Sequence, residues 1–131
     1  MKRYQFDKLI RSKIPSRMKD EGVVVNRNSL SETDYLAELK KKIIEEAHEV
    51  HDASSKEDLT TELADVMEVI HAIAQANQIS LEEIEAAQAK KREINGHFLP
   101  ENYINYIEVA EDNHKVIEYL ENKNRPYKFQ G

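Results

Sequence analysis

Four carboxylates in the middle of the chain are spaced for chemistry. Glu46 and Glu49 stand three residues apart, as do Glu62 and Asp65, and Glu45 precedes the first pair. Residues three apart on a helix lie on one side, about one turn from each other. Two such pairs on facing helices make a cage of hard oxygen ligands, whose natural occupant is Mg²⁺ or Mn²⁺. The chain has no Cys, which excludes disulfides, a thiolate metal site and a Cys nucleophile.

The cage requires two helices, and the apolar pattern supplies them. Leu36, Leu39, Ile43, Ala47 and Val50 recur at three- and four-residue steps, which predicts a helix over 34–53 with those residues as its core stripe. Ser31 or Thr33 can cap it. At 100° per residue, Glu46 lies roughly 60° and Glu49 about 120° from the stripe centre on one flank, with Glu45 roughly opposite the stripe. Ser54 to Lys56 is a short break. A second helix over 57–77 carries Leu59, Leu63, Val66, Ile70 and Ile73 as its stripe. Glu62 and Asp65 sit about 75° and 135° from it, beside Val69, Ala72 and Ala76. Charged residues among apolar ones need a partner or a metal. The short break predicts an antiparallel hairpin that turns the acid pairs toward each other.

Pro15 opens a short helix that Gly22 ends. Ser80 and Glu83 form a capping box for a third helix running to about Ile94, and Gly96 follows as a left-handed cap. Asp112 caps a last helix over 113–121, and Pro126 stops it. Val23 to Val25 is β-branched, and Tyr103 to Val109 loosely alternates, so a minor two-stranded β element is allowed. The fold class is all-α, an antiparallel helical bundle. With 131 residues, the chain is one domain. It divides into a basic arm (1–33), core helices (34–95) and a C-terminal extension (96–131).

Charge bounds the partners. The net charge of −6 argues against a nucleic-acid polymer. No apolar run is long enough for a bilayer and no signal peptide opens the chain, so we expect a soluble, cytoplasmic protein without a membrane partner. Residues 1–19 carry seven Lys and Arg against Asp7 alone. A basic arm beside an acidic metal site suits a phosphate–metal substrate, although a solvated basic surface has the same composition.

Three pieces of sequence together resemble a known family. Glu45-Glu46-x-x-Glu49 followed by Glu62-x-x-Asp65 resembles the EExxE…ExxD pattern of the MazG-like, all-α nucleoside triphosphate pyrophosphohydrolases. The opening from Asp7 to Pro15 resembles the K-L-V-R-D-K-I-P start of their phosphoribosyl-ATP pyrophosphohydrolase-like branch, and Lys91 to Phe98 its K-x-x-x-R-G-G-F helix end. The likeness spans residues 4 to about 99. It implies a MazG-type bundle and Mg²⁺-dependent hydrolysis between the α- and β-phosphates, giving a nucleoside monophosphate and pyrophosphate, as in house-cleaning of nucleotide pools. Carried over, the metal ligands are Glu46, Glu49, Glu62 and Asp65. Phosphoribosyl-ATP itself is the alternative substrate. The chain departs from the branch at Ser12, Asn95 and His97, where Asp, Arg and Gly are usual, and the lost Arg at Asn95 removes one expected phosphate contact.

The chemistry assigns further roles. One carboxylate must take the proton of the attacking water, and Glu45 and Glu49 are both candidates. Arg11, Lys13, Lys91 and Arg92 are the cations available for the leaving pyrophosphate. For Lys91 and Arg92 the competing explanation is compensation of a helix dipole. Two other readings compete with the enzyme. Glu45-x-x-His48 and Glu68-x-x-His71 match the Glu-x-x-His unit of di-metal bundles, but fall on the polar sides of their helices. An acidic interaction module would use the same charges as plain surface. A hairpin of this size leaves one apolar side uncovered, which predicts a homodimer or higher homo-oligomer.

Overall fold

Two serines begin the helices on which the rest depends. In the computed structural model, which describes residues 1–122, Ser31 Oγ accepts a hydrogen bond from the Asp34 N–H at 3.2 Å and Ser55 Oγ from the Asp58 N–H at 3.0 Å. Each satisfies an orphan donor of a first turn, worth about 1 kcal/mol. The first cap starts α2 (Glu32–Asp52) and the second α3 (Lys56–Ala76), with α1 (Ile14–Asp20) preceding them. Only Ala53 to Ser55 separate α2 from α3, so the chain must double back into an antiparallel hairpin.

Among the described residues, 1–93 form one compact unit and 94–122 belong to another. In the first unit α2 packs on α3. Pro15 stands in the first turn of α1. Gly22 (φ 81°) closes that helix in the left-handed region, with the Val23 N–H donating to the Met18 carbonyl at 2.9 Å. α3 ends the same way around Gln78 (φ 57°), and the Ile79 N–H donates to the Ala74 carbonyl at 2.9 Å. α4 (Leu81–Asn95) starts on the expected reciprocal pair: the Ser80 N–H donates to Glu83 Oε2 at 2.7 Å, and the Glu83 N–H to Ser80 Oγ at 3.1 Å.

In the second unit, Gly96 (φ 80°) follows α4, and α5 (His114–Glu121) is the last helix described. Its cap is Asn113, not Asp112: Asn113 Oδ1 accepts from the Val116 N–H at 3.4 Å. Both side chains are good caps, and the helix chose the one that begins a residue later. The expected stop at Pro126 lies outside the described residues.

Two expectations need correction. The described residues contain no strand, so neither Val23–Val25 nor Tyr103–Val109 builds a β element. A two-stranded ribbon is marginal in water without a third strand or a covering helix. The core stripe is also narrower than the periodicity implied. The buried apolar residues are Leu39, Val69 and Ala74, while Leu59 and Leu63 are exposed at 39% and 48%. Ala47 is exposed as well. Two helices bury only the seam between them, so the outer part of each stripe stays uncovered. No described helix is long and apolar enough to cross a membrane.

Candidate metal centre and its cationic surround

The hairpin sets the acid pairs level. Glu46 lies six residues before the end of α2 at Asp52, and Glu62 six residues after the start of α3 at Lys56. Carboxylate oxygens of Glu46, Glu62 and Asp65 lie within 4.8 Å of one another, and all three residues are half-buried. Two oxygens on opposite sides of one Mg²⁺ stand about 4.2 Å apart, twice the metal–oxygen distance. Small side-chain adjustments would therefore suffice to close this group onto an ion. Three carboxylates with no nitrogen or sulfur donor fit Mg²⁺ or Mn²⁺.

The electrostatics point the same way. The Glu62 carboxyl is pushed above the usual glutamate range, first by loss of solvent and then by the charges of Asp65, Glu49, Glu46 and Asp58. A cation would relieve that crowding. Glu49 is exposed and stands outside the three-carboxylate group, though its charge reaches Glu62.

Cations hold the flank. Lys42 Nζ is 3.2 Å from Glu45 Oε1 and 3.6 Å from Glu46 Oε1, and Lys8 Nζ reaches Glu45 Oε1 at 3.4 Å. Partial loss of solvent pushes the Glu45 carboxyl up, but Lys42 and then Lys8 outweigh it, and the net shift is downward. Arg11 Nη2 donates to Asp65 Oδ1 at 2.6 Å. A groove of about 180 Å³ opens beside these groups. Leu9, Ile10, Leu39, Val69 and Ala72 give it apolar walls, Tyr35 an aromatic one, and Arg11, Lys42, Glu46, Asp65 and Glu68 its charges.

The structure thus gathers Glu46, Glu62 and Asp65, sets Glu45 behind Lys42 and Lys8, and places Arg11 at the groove. Lys13, Lys91 and Arg92 are exposed, line no part of this groove and make no ion pair among the described residues. Arg92 lies in the last turn of α4, where it complements the helix dipole. Glu45, His48, Glu68 and His71 form no metal-capable group among the described residues. Lys42, Lys8 and Tyr35 were not singled out from the sequence. Lys42 had a usable signal, since it stands three residues before Glu45 and four before Glu46. Lys8 and Tyr35 reach the site by the path of the chain, which spacing does not encode.

The family described as phosphoribosyl-ATP pyrophosphohydrolase matches residues 4–92, which covers the arm, the hairpin and most of α4. No curated protein and no solved structure matches the chain.

Proposed function

The chain belongs to the phosphoribosyl-ATP pyrophosphohydrolase family, within the MazG-like all-α pyrophosphohydrolases, and we propose that it cleaves a nucleoside triphosphate between the α- and β-phosphates. The products are a nucleoside monophosphate and pyrophosphate, and the reaction depends on Mg²⁺, with Mn²⁺ as a substitute. The observation that carries this reading is the Glu46–Glu62–Asp65 group beside a groove whose lining includes Arg11 and Lys42.

In this proposal Glu46, Glu62 and Asp65 hold the ion, with Glu49 next to them. A bound divalent ion neutralises phosphate oxygens and polarises the attacking water. Glu49 takes the proton of that water, because it is exposed and stands beside Glu62 without belonging to the three-carboxylate group. Glu45 is the weaker base, since Lys42 and Lys8 share its oxygen and hold its carboxyl down. If Glu49 instead moves inward as a fourth ligand, Glu45 inherits the proton. Arg11 and Lys42 face the phosphate chain from the groove, Lys91 and Arg92 are outer phosphate contacts, and Lys13, off the groove, is left out of the binding set. Tyr35 and the apolar walls offer a place for one ring of the ligand. The groove is smaller than the ~300 Å³ that engulfs a whole ligand, so the phosphates stay outside it.

The protein acts in the cytoplasm as a homodimer. The exposed apolar line Leu59, Leu63 and Met67 on α3, together with Ile44 on α2, supports a second copy covering the hairpin. The family's own substrate, phosphoribosyl-ATP, is a second reading that the match at residues 4–92 favours.

Phosphorus NMR of a nucleotide panel including phosphoribosyl-ATP, with Mg²⁺ or Mn²⁺, tests the reaction. Monophosphate plus pyrophosphate from one member is the expected result. Diphosphate plus orthophosphate, or no turnover of any member, contradicts it.

A further inference from the structure

The N-terminal arm touches the acidic edge with two cations of unequal standing. Lys8 shares Glu45 with Lys42, so Glu45 stays paired without it. Arg11 is the ion-pair partner of Asp65 among the described residues, at 2.6 Å. Asp65 is also one of the three carboxylates whose oxygens gather within 4.8 Å. A guanidinium and a divalent ion on one carboxylate compete, because both draw on the same oxygens and repel each other. The pair is also weak enough to exchange, since the two side chains are 59% and 34% exposed. Arg11 stands on the groove wall, and its planar fork of donors matches a phosphate as well as a carboxylate.

Resting on the nucleotide reading above, we propose that Arg11 is a displaceable counter-ion. It neutralises Asp65 until it yields that carboxylate to a divalent cation, and its freed guanidinium then binds the phosphate chain. The exchange keeps the acidic edge from standing fully charged before the ion arrives, and it couples ion uptake to the appearance of a phosphate donor.

The two halves of this exchange predict shifts of opposite sign in one variant. Free Mn²⁺ is followed by electron paramagnetic resonance in wild type, Arg11→Gln and Lys13→Gln. Arg11→Gln binds Mn²⁺ about two- to fivefold more tightly, the size of a partly exposed ion pair. Lys13→Gln removes the same charge from the same arm without touching Asp65, and changes the affinity less than about 1.5-fold at physiological salt, where distant charges are screened. Calorimetry with α,β-methylene-ATP and saturating Mn²⁺ then shows Arg11→Gln binding the analogue at least about tenfold more weakly, as loss of a charge-assisted contact requires.

A residue that only stabilises the fold would weaken both or neither, and circular dichroism of each variant checks the fold. Unchanged or weaker Mn²⁺ binding in Arg11→Gln overturns the exchange, as does equal tightening in Lys13→Gln. Tighter Mn²⁺ with unchanged analogue affinity overturns the hand-over to phosphate. If wild type does not bind the analogue at all, the nucleotide reading fails, and the Mn²⁺ titration still decides the exchange at Asp65.

Discussion

At the scale of residues, Glu62 separates a metal ligand from a surface acid. Its folded-state carboxyl is raised by desolvation and by four neighbouring acids. A raised acid costs the fold nothing below the ordinary glutamate range. It destabilises progressively as pH climbs through the raised value, because the ionised form is the disfavoured one. Metal binding needs that ionised form, so Mn²⁺ affinity rises over the same pH window. Glu62→Gln should therefore raise the melting temperature of the protein in chelator at neutral pH. It should also abolish the Mn²⁺ affinity step, which paired thermal scans and pH titrations will reveal. Glu49→Gln separates roles differently. As the proton acceptor, it should retain Mn²⁺ affinity within about threefold and lose about 100-fold or more of turnover. A comparable loss of both would make Glu49 a ligand and return the proton to Glu45.

At the scale of elements, the caps carry the hairpin. Ser55→Ala removes the acceptor of the Asp58 N–H and should cost about 1 kcal/mol in denaturant unfolding. Gln78 holds the left-handed position after α3 at φ 57°. Gln78→Gly should stabilise by about 0.5–1 kcal/mol, because glycine adopts that conformation without a Cβ clash. Much of this scale was legible in the sequence. Ser31 at its cap, the Ser80–Glu83 box and Gly22 and Gly96 are local signals decided by local hydrogen bonds, whereas Ser55, read as part of a break, proved to cap α3. The meeting of Glu46, Glu62 and Asp65 was legible too, since acids on a tight hairpin have few places to go, but Glu49, expected beside them as a fourth ligand, stands outside the group. Tertiary facts were not. Leu59 and Leu63 fit the stripe but face outward, because periodicity gives a face and not what covers it. Val23–Val25 has strand-like side chains and no partner. Arg11 meets Asp65 across 54 positions of sequence, a distance over which no spacing rule operates.

At the scale of the whole molecule, the hairpin is undercovered for its length. Each helix has 21 residues, yet among the described residues the buried apolar ones are only Leu39, Val69 and Ala74. Helical stability in proteins comes mostly from packing an apolar face, and the proposed homodimer would supply that cover. Light scattering should return about twice the chain mass of 15.2 kDa. Leu63→Glu should shift it toward a single copy and lower the melting temperature. The proposed hydrolysis requires one property of that hairpin, a grip on a divalent ion through acids from both helices. Water-proton relaxation during Mn²⁺ titration measures the grip directly in wild type, Glu62→Gln and Asp65→Asn. Saturable binding in wild type, weakened at least about tenfold in either variant, is the result the account predicts, since each carboxylate supplies a charged ligand. Wild type that takes up no Mn²⁺, or variants that bind it as tightly as wild type, would contradict it.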